Sequence, residues 1–417
     1  MKFKGFILGV LICHTCLLSA QFIVDAELRP RFEYRHGFGT IFPVDTDPAA
    51  FVSQRTRVNF SFSNERFNFF VTGQDVRVWG DTPQLSSTSN NGFNLHQAWG
   101  EVFLNKKLSL KFGRQELAYD DQRFLGNVGW AQQARSHDLA LLKLRSNGFK
   151  LDFGLAFNQD GQALTGTALN TKTYKSIQYL WLNKSFKSSV VSLLLLNNGE
   201  QFIDETNEEN NETRYSQIIG THYRYHKNKF IGTANIYFQF GKDLFNNTFS
   251  ASLIGIEGRY IFSKHVSVVL GGEQQSGNDF GSINSNKNRA FTPFYGTNHK
   301  FNGLMDYFYV GNHKNNVGLV DLYLKSNFTI NNKSSLSIST HNFFSSAKIA
   351  NHNSKQLGVE VDLVYNYKLY DDVNLKIGYS QMFDNEGLRI IKNNFNKTNN
   401  NWGWVMLTLK PILYKHS

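Results

Sequence analysis

The chain has 417 residues, a formal net charge of +11 and a mean hydropathy of −0.37, values that taken alone fit a soluble protein of two or three domains. Its 15% aromatic content excludes a disordered chain, its 33 glycines show no collagen period, and the lack of long apolar runs excludes membrane-crossing helices. With 37 Phe, 18 Tyr and only 6 Pro, what remains is a large aromatic chain of β type.

Lys2 and Lys4 precede an apolar stretch from Phe6 to Leu18, and Ser19 and Ala20 supply small residues before Gln21. This pattern predicts a signal peptide over residues 1–20, cleaved near Ala20, and leaves residues 21–417 as one mature domain. The stretch is too short for a spanning helix and contains His14. Both cysteines, Cys13 and Cys16, fall within the leader, so the mature chain is expected to hold no disulfide and no thiolate metal site. Losing the two leader lysines brings the charge to about +9.

From Asp25 to Arg35 the odd positions are all charged, while Ala26, Leu28, Pro30, Phe32 and Tyr34 fill the even ones. A strand sends alternate side chains to opposite faces, so one face is an array of charges and the other is apolar. The pattern recurs where Arg55, Arg57, Asn59 and Ser61 oppose Thr56, Val58, Phe60 and Phe62, and again over Gly232–Phe240. Near the end, Glu360 and Asp362 oppose Val359, Val361, Leu363 and Tyr365.

Connections alternate in length. Short polar links are expected at 63–66, 105–107, 145–148, 184–187, 226–228, 263–264, 331–333 and 370–372, with long polar loops such as 81–92, 197–213 and 276–314 between them. The spacing predicts an all-β, up-and-down antiparallel transmembrane barrel of about 18 strands, short turns at one end and long loops at the other. The low mean hydropathy follows, because only alternate residues face lipid. Trp79, Trp99, Trp181, Trp402 and Trp404 are expected either in interfacial girdles or as ordinary strand aromatics. The last strand, over 402–409, is followed by Pro411 and a basic tail.

Gly113-Arg114-Gln115-Glu116-Leu117-Ala118-Tyr119-Asp120-Asp121-Gln122-Arg123-Phe124-Leu125-Gly126, with Trp130, Arg135 and Asp138 beyond it, is the most informative stretch. It resembles the alginate export family of outer-membrane porins, as do Arg31 and Glu33 in the first strand and the run Gln54-Arg55-Thr56-Arg57. The resemblance implies an eighteen-stranded barrel with a charged, largely arginine-lined lumen that passes an anionic polysaccharide outward.

The residues themselves permit two readings. Arginine offers a rigid fork of donors, so Arg29, Arg31, Arg35, Arg55, Arg57, Arg77 and Arg114 can form a ladder for carboxylates, kept weak by Glu27, Glu33, Glu101, Glu116 and Asp121. Alternatively these charges pair with one another and fill the barrel as a structural network. Asp120, Asp121 and Arg123 begin a loop, and Tyr119-Asp120-Asp121 lacks the regularly spaced oxygens of a Ca²⁺ site. Arg135 and Asp138 complete the set of pore-lining candidates.

The leading expectation is a passive outer-membrane channel for an anionic poly- or oligosaccharide such as alginate, working without a cofactor. The alternative is a porin for small anions or sugars, or a structural or adhesive barrel. The segment 276–314 can fold inward as a constriction or outward as a surface loop. A membrane-embedded hydrolase is disfavoured, since no Gly-x-Ser-x-Gly elbow appears and His222 and His226 read as lining residues. Expected partners are outer-membrane lipid, lipopolysaccharide, the anionic saccharide and periplasmic export proteins. Nucleic acid is not expected, because the basic residues are spread over many strands.

Overall fold

The computed structural model describes residues 20–85, 93–167, 169, 173–281, 286–313, 316–349 and 351–416. The predicted leader thus lies outside the described residues, apart from Ala20. The wall begins with β1 (Gln21–His36), β2 (Ala49–Ser63), β3 (Phe67–Val78), β4 (Asn94–Phe103), β5 (Leu108–Gln115), β6 (His137–Ser146) and β7 (Phe149–Phe157). It continues with β8 (Ser176–Ser185), β9 (Ser189–Phe202), β10 (Glu212–Lys227), β11 (Phe230–Lys242), β12 (Thr248–Ile261) and β13 (Val266–Gln275). After β14 (Lys287–Asn288), a two-residue pairing inside a loop, come β15 (Leu319–Thr329), β16 (Ser334–Phe344), β17 (Gln356–Tyr370), β18 (Val373–Asp384) and β19 (Asn400–Leu409). A short β20 (Ile412–His416) follows Pro411 and pairs with the first residues of β1.

Setting aside β14 and β20, eighteen antiparallel strands close into a barrel. Closure is made by β1, which pairs with β2 from Gln21↔Ser63 to Arg35↔Ala49 and with β19 from Leu28↔Leu409 to His36↔Asn401. No edge is left along the wall, as hydrocarbon demands of a spanning sheet.

All eight predicted short links are turns at the end of the barrel where β1 begins. Three share one chemistry: Asn64, Asn105 and Asn331 each accept the backbone N–H groups two and three residues on, at 2.8–3.1 Å. Asn147 and Gly148, with φ of 45° and 73°, make the two-residue turn whose twist matches a hairpin. The predicted loop over 197–213 is shorter, because β9 runs to Phe202 and β10 starts at Glu212. The amides there extend the strands: Asn197 donates to Gln178 at 2.6 Å and Gln217 to Asn197 at 2.8 Å.

The alternation falls as predicted. Glu27, Arg29, Arg31 and Glu33 are buried on the inner face of β1, while Leu28, Phe32 and Tyr34 are exposed on the outer. The tryptophans do not form girdles. Trp181, Trp402 and Trp404 are buried inside, Trp99 lies beneath the Lys111 ammonium at 3.7 Å, and Trp79 alone is strongly exposed. Each inward Trp shares strand parity with lumen residues, and the outer rims carry Phe67, Phe103, Phe230, Tyr260 and Tyr370 instead.

The barrel interior is filled. One buried apolar cluster joins Leu139, Tyr179, Trp181, Leu194 and Tyr237 of the wall to Leu117, Phe124, Leu125 and Phe291 of the loops. A second joins Phe343, Met382, Trp402 and Trp404 to Met305, Tyr307 and Leu388. The connection between β13 and β15 therefore folds inward. A charge on the apolar outer band is expected to be costly: Leu270→Arg on β13 should destabilise the barrel by about 2–4 kcal/mol in a lipid refolding titration, with inner-face Ser339→Arg near neutral.

Candidate functional site

Two loops meet inside the lumen. Gly126 N–H donates to the Tyr295 carbonyl at 3.0 Å and Thr297 N–H to that of Gln122 at 2.9 Å, knitting segment 116–136 to segment 291–301. The approach is close enough to require Gly296, where a Cβ would stand 2.1 Å from the Arg123 carbonyl. Asp120 and Gln122 adopt left-handed backbone, with φ of 53° and 67°; the Asp120 side chain turns to the far wall, while Gln122 Oε1 accepts from the Thr297 hydroxyl at 2.7 Å.

One arm of segment 116–136 hangs on β1 and β2. Arg29 donates to the Gly129 carbonyl at 2.7 Å, to those of Trp130 and Ala131 at 3.2 Å, and to Gln132 Oε1 at 2.9 Å. Arg31 donates to the Trp130 carbonyl at 2.8 Å, stacks on its ring at 4.2 Å and pairs with Glu33 at 2.8 Å. Arg55 binds Glu27 and reaches the carbonyls of Ala131 and Gln132 at 3.4 Å. Arg35 pairs with Glu33 at 2.8 Å and lies over Phe38 and Phe51. Arg57 donates to Gln74 at 2.6 Å and approaches Glu116 at 3.4 Å. Burial pushes the Glu116 carboxyl up, but hydrogen bonds from His96 at 2.7 Å and Asn127 at 3.0 Å, with the Arg57 charge, bring it below the ordinary carboxylate value. On the adjoining wall Glu101 takes Ser109 and Lys143 at 2.7 and 2.6 Å.

The other arm reaches across the barrel. Asp120 accepts from Trp181 at 2.9 Å and Ser192 at 2.5 Å, yet burial raises its carboxyl above the ordinary value. Asp121 accepts from Asn235 at 2.6 Å, and Arg123 binds Glu273 with its guanidinium carbon 3.5 Å over the centre of the Phe301 ring. Arg135 donates to the Gly296 carbonyl at 3.1 Å. Thus Glu33, Glu101, Glu116, Asp120, Asp121 and the arginines at 29, 31, 35, 55, 57, 123 and 135 turn to the interior, where most hold loops.

Three candidates lie in phase with the outer face, near the loop-end rim, where Arg77 also borders the cavity beside Arg35 and Trp130, and Arg114 and Asp138 one beside Arg135 and Tyr295. Arg77 pairs opposite Gln54 on the outer face and is bound by Asp75 at 2.7 Å. Arg114 and Asp138 oppose each other across β5 and β6, half exposed, 2.6 Å apart. Strict parity would have placed them there: Arg114 shares its face with Leu110 and Phe112, and Arg77 with Phe67, Phe69 and Val71.

Beneath the joined loops, towards the short turns, lies a chamber of about 420 Å³. Its acids are Asp120, Asp121, Glu257, Glu273 and Asp321, and its cations Arg123, Arg224, Arg259, Lys300 and Lys325. Every acid has a donor: Glu257 takes Tyr323 at 3.1 Å, Glu273 takes Gln275 at 2.7 Å besides Arg123, and Asp321 takes His341 at 2.9 Å. Among the described residues Arg224, Arg259, Lys300 and Lys325 make no ion pair. Such a site can take an anion without displacing a protein carboxylate. Sequence reasoning passed over these four, although Lys325 shares parity with Asp321, and Arg259 with Glu257. Among the described residues no cluster of three His, Cys, Asp or Glu is placed to hold a metal.

At the loop end, helix α1 (Glu386–Lys392) inserts Lys392 between loops. Its ammonium donates to the Tyr307 carbonyl at 2.6 Å, to Asn312 at 2.7 Å and to Gly39 at 3.3 Å, and burial pushes it down to about 7. Between pH about 7 and the ordinary lysine value of 10.5, the folded chain holds less of this proton than the unfolded one, so stability should rise with pH. Thermal melts at pH 6 and 9 should show this gain in the wild type and a smaller one in Lys392→Met. Arg29→Met, which strips the donors from residues 129–132, should raise the conductance and its fluctuation in planar bilayers, while Arg114→Gln leaves both unchanged.

The chain resembles solved outer-membrane channels throughout its length. It is 11% identical to Pseudomonas aeruginosa OccK11 (OpdR), with a TM-score of 0.62 over 94% of this chain and 96% of that one. It is 10% identical to P. aeruginosa OccK2 (OpdF), solved in complex with glucuronate, with a TM-score of 0.62 over 94% and 98%. Acinetobacter baumannii OccAB1 gives 11% identity and 0.62 over 95% and 97%. At these identities the likeness shows the fold. No curated protein matches in sequence. The family described as alginate export matches residues 21–389, nearly the whole barrel, and the chain belongs to that family of outer-membrane β-barrel channels.

Proposed function

We propose that this outer-membrane channel passes acidic saccharides of one or a few uronate units, which bind in transit to the chamber below the joined loops. The observation that carries the reading is the chamber's imbalance: its five acids are each held by protein donors, while Arg224, Arg259, Lys300 and Lys325 are free of ion pairs among the described residues. Its size, about 420 Å³, is in the range of small-ligand sites. The nearby carboxylates keep any one site weak, as conduction requires. The glucuronate bound in OccK2 supports the same substrate class.

Passage of the polymer itself is favoured by the family's description as alginate export, and requires segments 116–136 and 291–301 to move aside. The reading includes no catalytic step. It places lipopolysaccharide around the outer wall, periplasmic proteins at the short-turn end, and a leader cleaved near Ala20, so that the purified protein begins at Gln21.

In planar bilayers the barrel should prefer anions and be blocked by glucuronate or short oligouronates, and not by neutral oligosaccharides of equal length. Removing two unpaired cations in Lys300→Gln/Lys325→Gln should weaken that block by about tenfold, or about 1.4 kcal/mol. Equal block by neutral sugars would remove the acid reading. Block that strengthens with polymer length, to full-length alginate, would favour the polymer.

A further inference from the structure

Three cavities lie in series along segment 298–309. The first, of about 440 Å³, opens among Arg35, Phe38, Phe51 and Trp130 and reaches Asp306 and Tyr309. Asp306 and Tyr309 also line the second, of about 210 Å³, which reaches Arg123, Phe301 and Asn302. Those three residues in turn line the chamber of unpaired cations. Each partition between neighbouring cavities is thus a few side chains thick: the outer is made by Asp306 and Tyr309 of one inward loop, the inner by Phe301 and Asn302 of that loop with Arg123 of the other.

The inner partition has an unusual composition. The Arg123 guanidinium lies on the Phe301 ring at 3.5 Å, is buried, and has one counter-charge, Glu273. Its Nε is buried without an acceptor. An arginine with five donors can hold two carboxylates at once, so an arriving carboxylate supplies the missing acceptor without requiring Glu273 to leave. Asn302, which donates to Glu273 at 3.2 Å and to Asp321 at 3.1 Å, holds the acids back from the gap. On the wall, Arg29, Arg31 and Arg55 are committed to the carbonyls of residues 129–132 and to Glu27 and Glu33, and Arg57, whose Nη2 is also buried without an acceptor, borders none of the three cavities.

We infer that the conducting route leaves the first cavity along segment 298–309 and crosses the inner partition at Arg123 and Phe301, where Arg123 selects carboxylates and Phe301 sets the aperture, and that it does not continue down the arginine-rich wall of β1 and β2. This rests on the reading of the barrel as a channel for acidic saccharides. Lys300 follows Asn298 and His299 in a short 3-10 turn and stands beside Phe301, so a carboxylate released by Arg123 meets it next. Lys325, over the Tyr323 ring, stands farther along the chamber wall.

The test uses the full barrel in planar bilayers with chloride as carrier and glucuronate as blocker. Phe301→Ala should raise chloride conductance by about twofold or more by removing the constricting ring. Arg123→Lys keeps the charge and loses the planar fork, so glucuronate block should weaken by about tenfold while chloride current persists. Because residues 21–417 contain no cysteine, single cysteines report the route independently. A cationic thiosulfonate should cut the current of Tyr309→Cys from the loop side and of Lys325→Cys from the turn side. It should spare Ser61→Cys on the inner face of β2. Wild-type block that survives both Phe301→Ala and Arg123→Lys unchanged overturns the route and leaves the acid reading standing. Absence of glucuronate block in the wild type removes the acid reading, and the cysteines still decide the route: current lost at Ser61→Cys and kept at the other two overturns it.

Discussion

Arg29 gives its donors to the carbonyls of three consecutive residues and the side chain of a fourth, and the position of segment 116–136 inside the barrel follows from that attachment. A loop entering a lumen brings backbone carbonyls that need partners, because a buried unpaired polar group is costly. Arginine, with five donors and no acceptor, meets that need while its charge is balanced by Glu27 and Glu33. Once residues 129–132 are fixed at one wall, Asp120, Asp121 and Arg123 can reach the other, and the second loop has a surface to pair with.

The consequence is a division of labour among charges that look alike. Those on β1 and β2 hold the plug, while Arg224, Arg259 and Lys325, on β10, β12 and β15, face a cavity without ion pairs among the described residues. Charge type does not separate the two groups. What separates them is whether a loop lies against them, and this depends on contacts between residues some hundred positions apart in the chain.

Much of the wall was legible because strand parity is a local property. The charged and apolar faces over 25–35 and 55–62, the eight short links and the strand count all follow from neighbouring residues. Where the reading failed, chemistry had been allowed to override parity. Arg77, Arg114 and Asp138 enter the pore-lining set for their charge, and Trp402 and Trp404 the girdle alternative for their aromaticity, although each sits in phase with residues of the opposite face. The amide-rich ends of β9 and β10 looked like loop because Asn and Gly disfavour strands, and cross-strand amide bonds overcame that preference. The filled interior was legible only as an open alternative, in the inward fold of 276–314 and the charge network, since the choice rests on two loops meeting in three dimensions.

The seam where β1 meets β19 joins Arg31 to Met406. Contacts so distant in sequence carry a large loop-closure entropy and form slowly. Until the final strand has been synthesised, the first has one side of its backbone without a neighbour, and every shorter product is an open sheet prone to join another chain. Assembly of this barrel is therefore decided at its last residues, and a chain cut short before β19 loses its resistance to aggregation together with its pore.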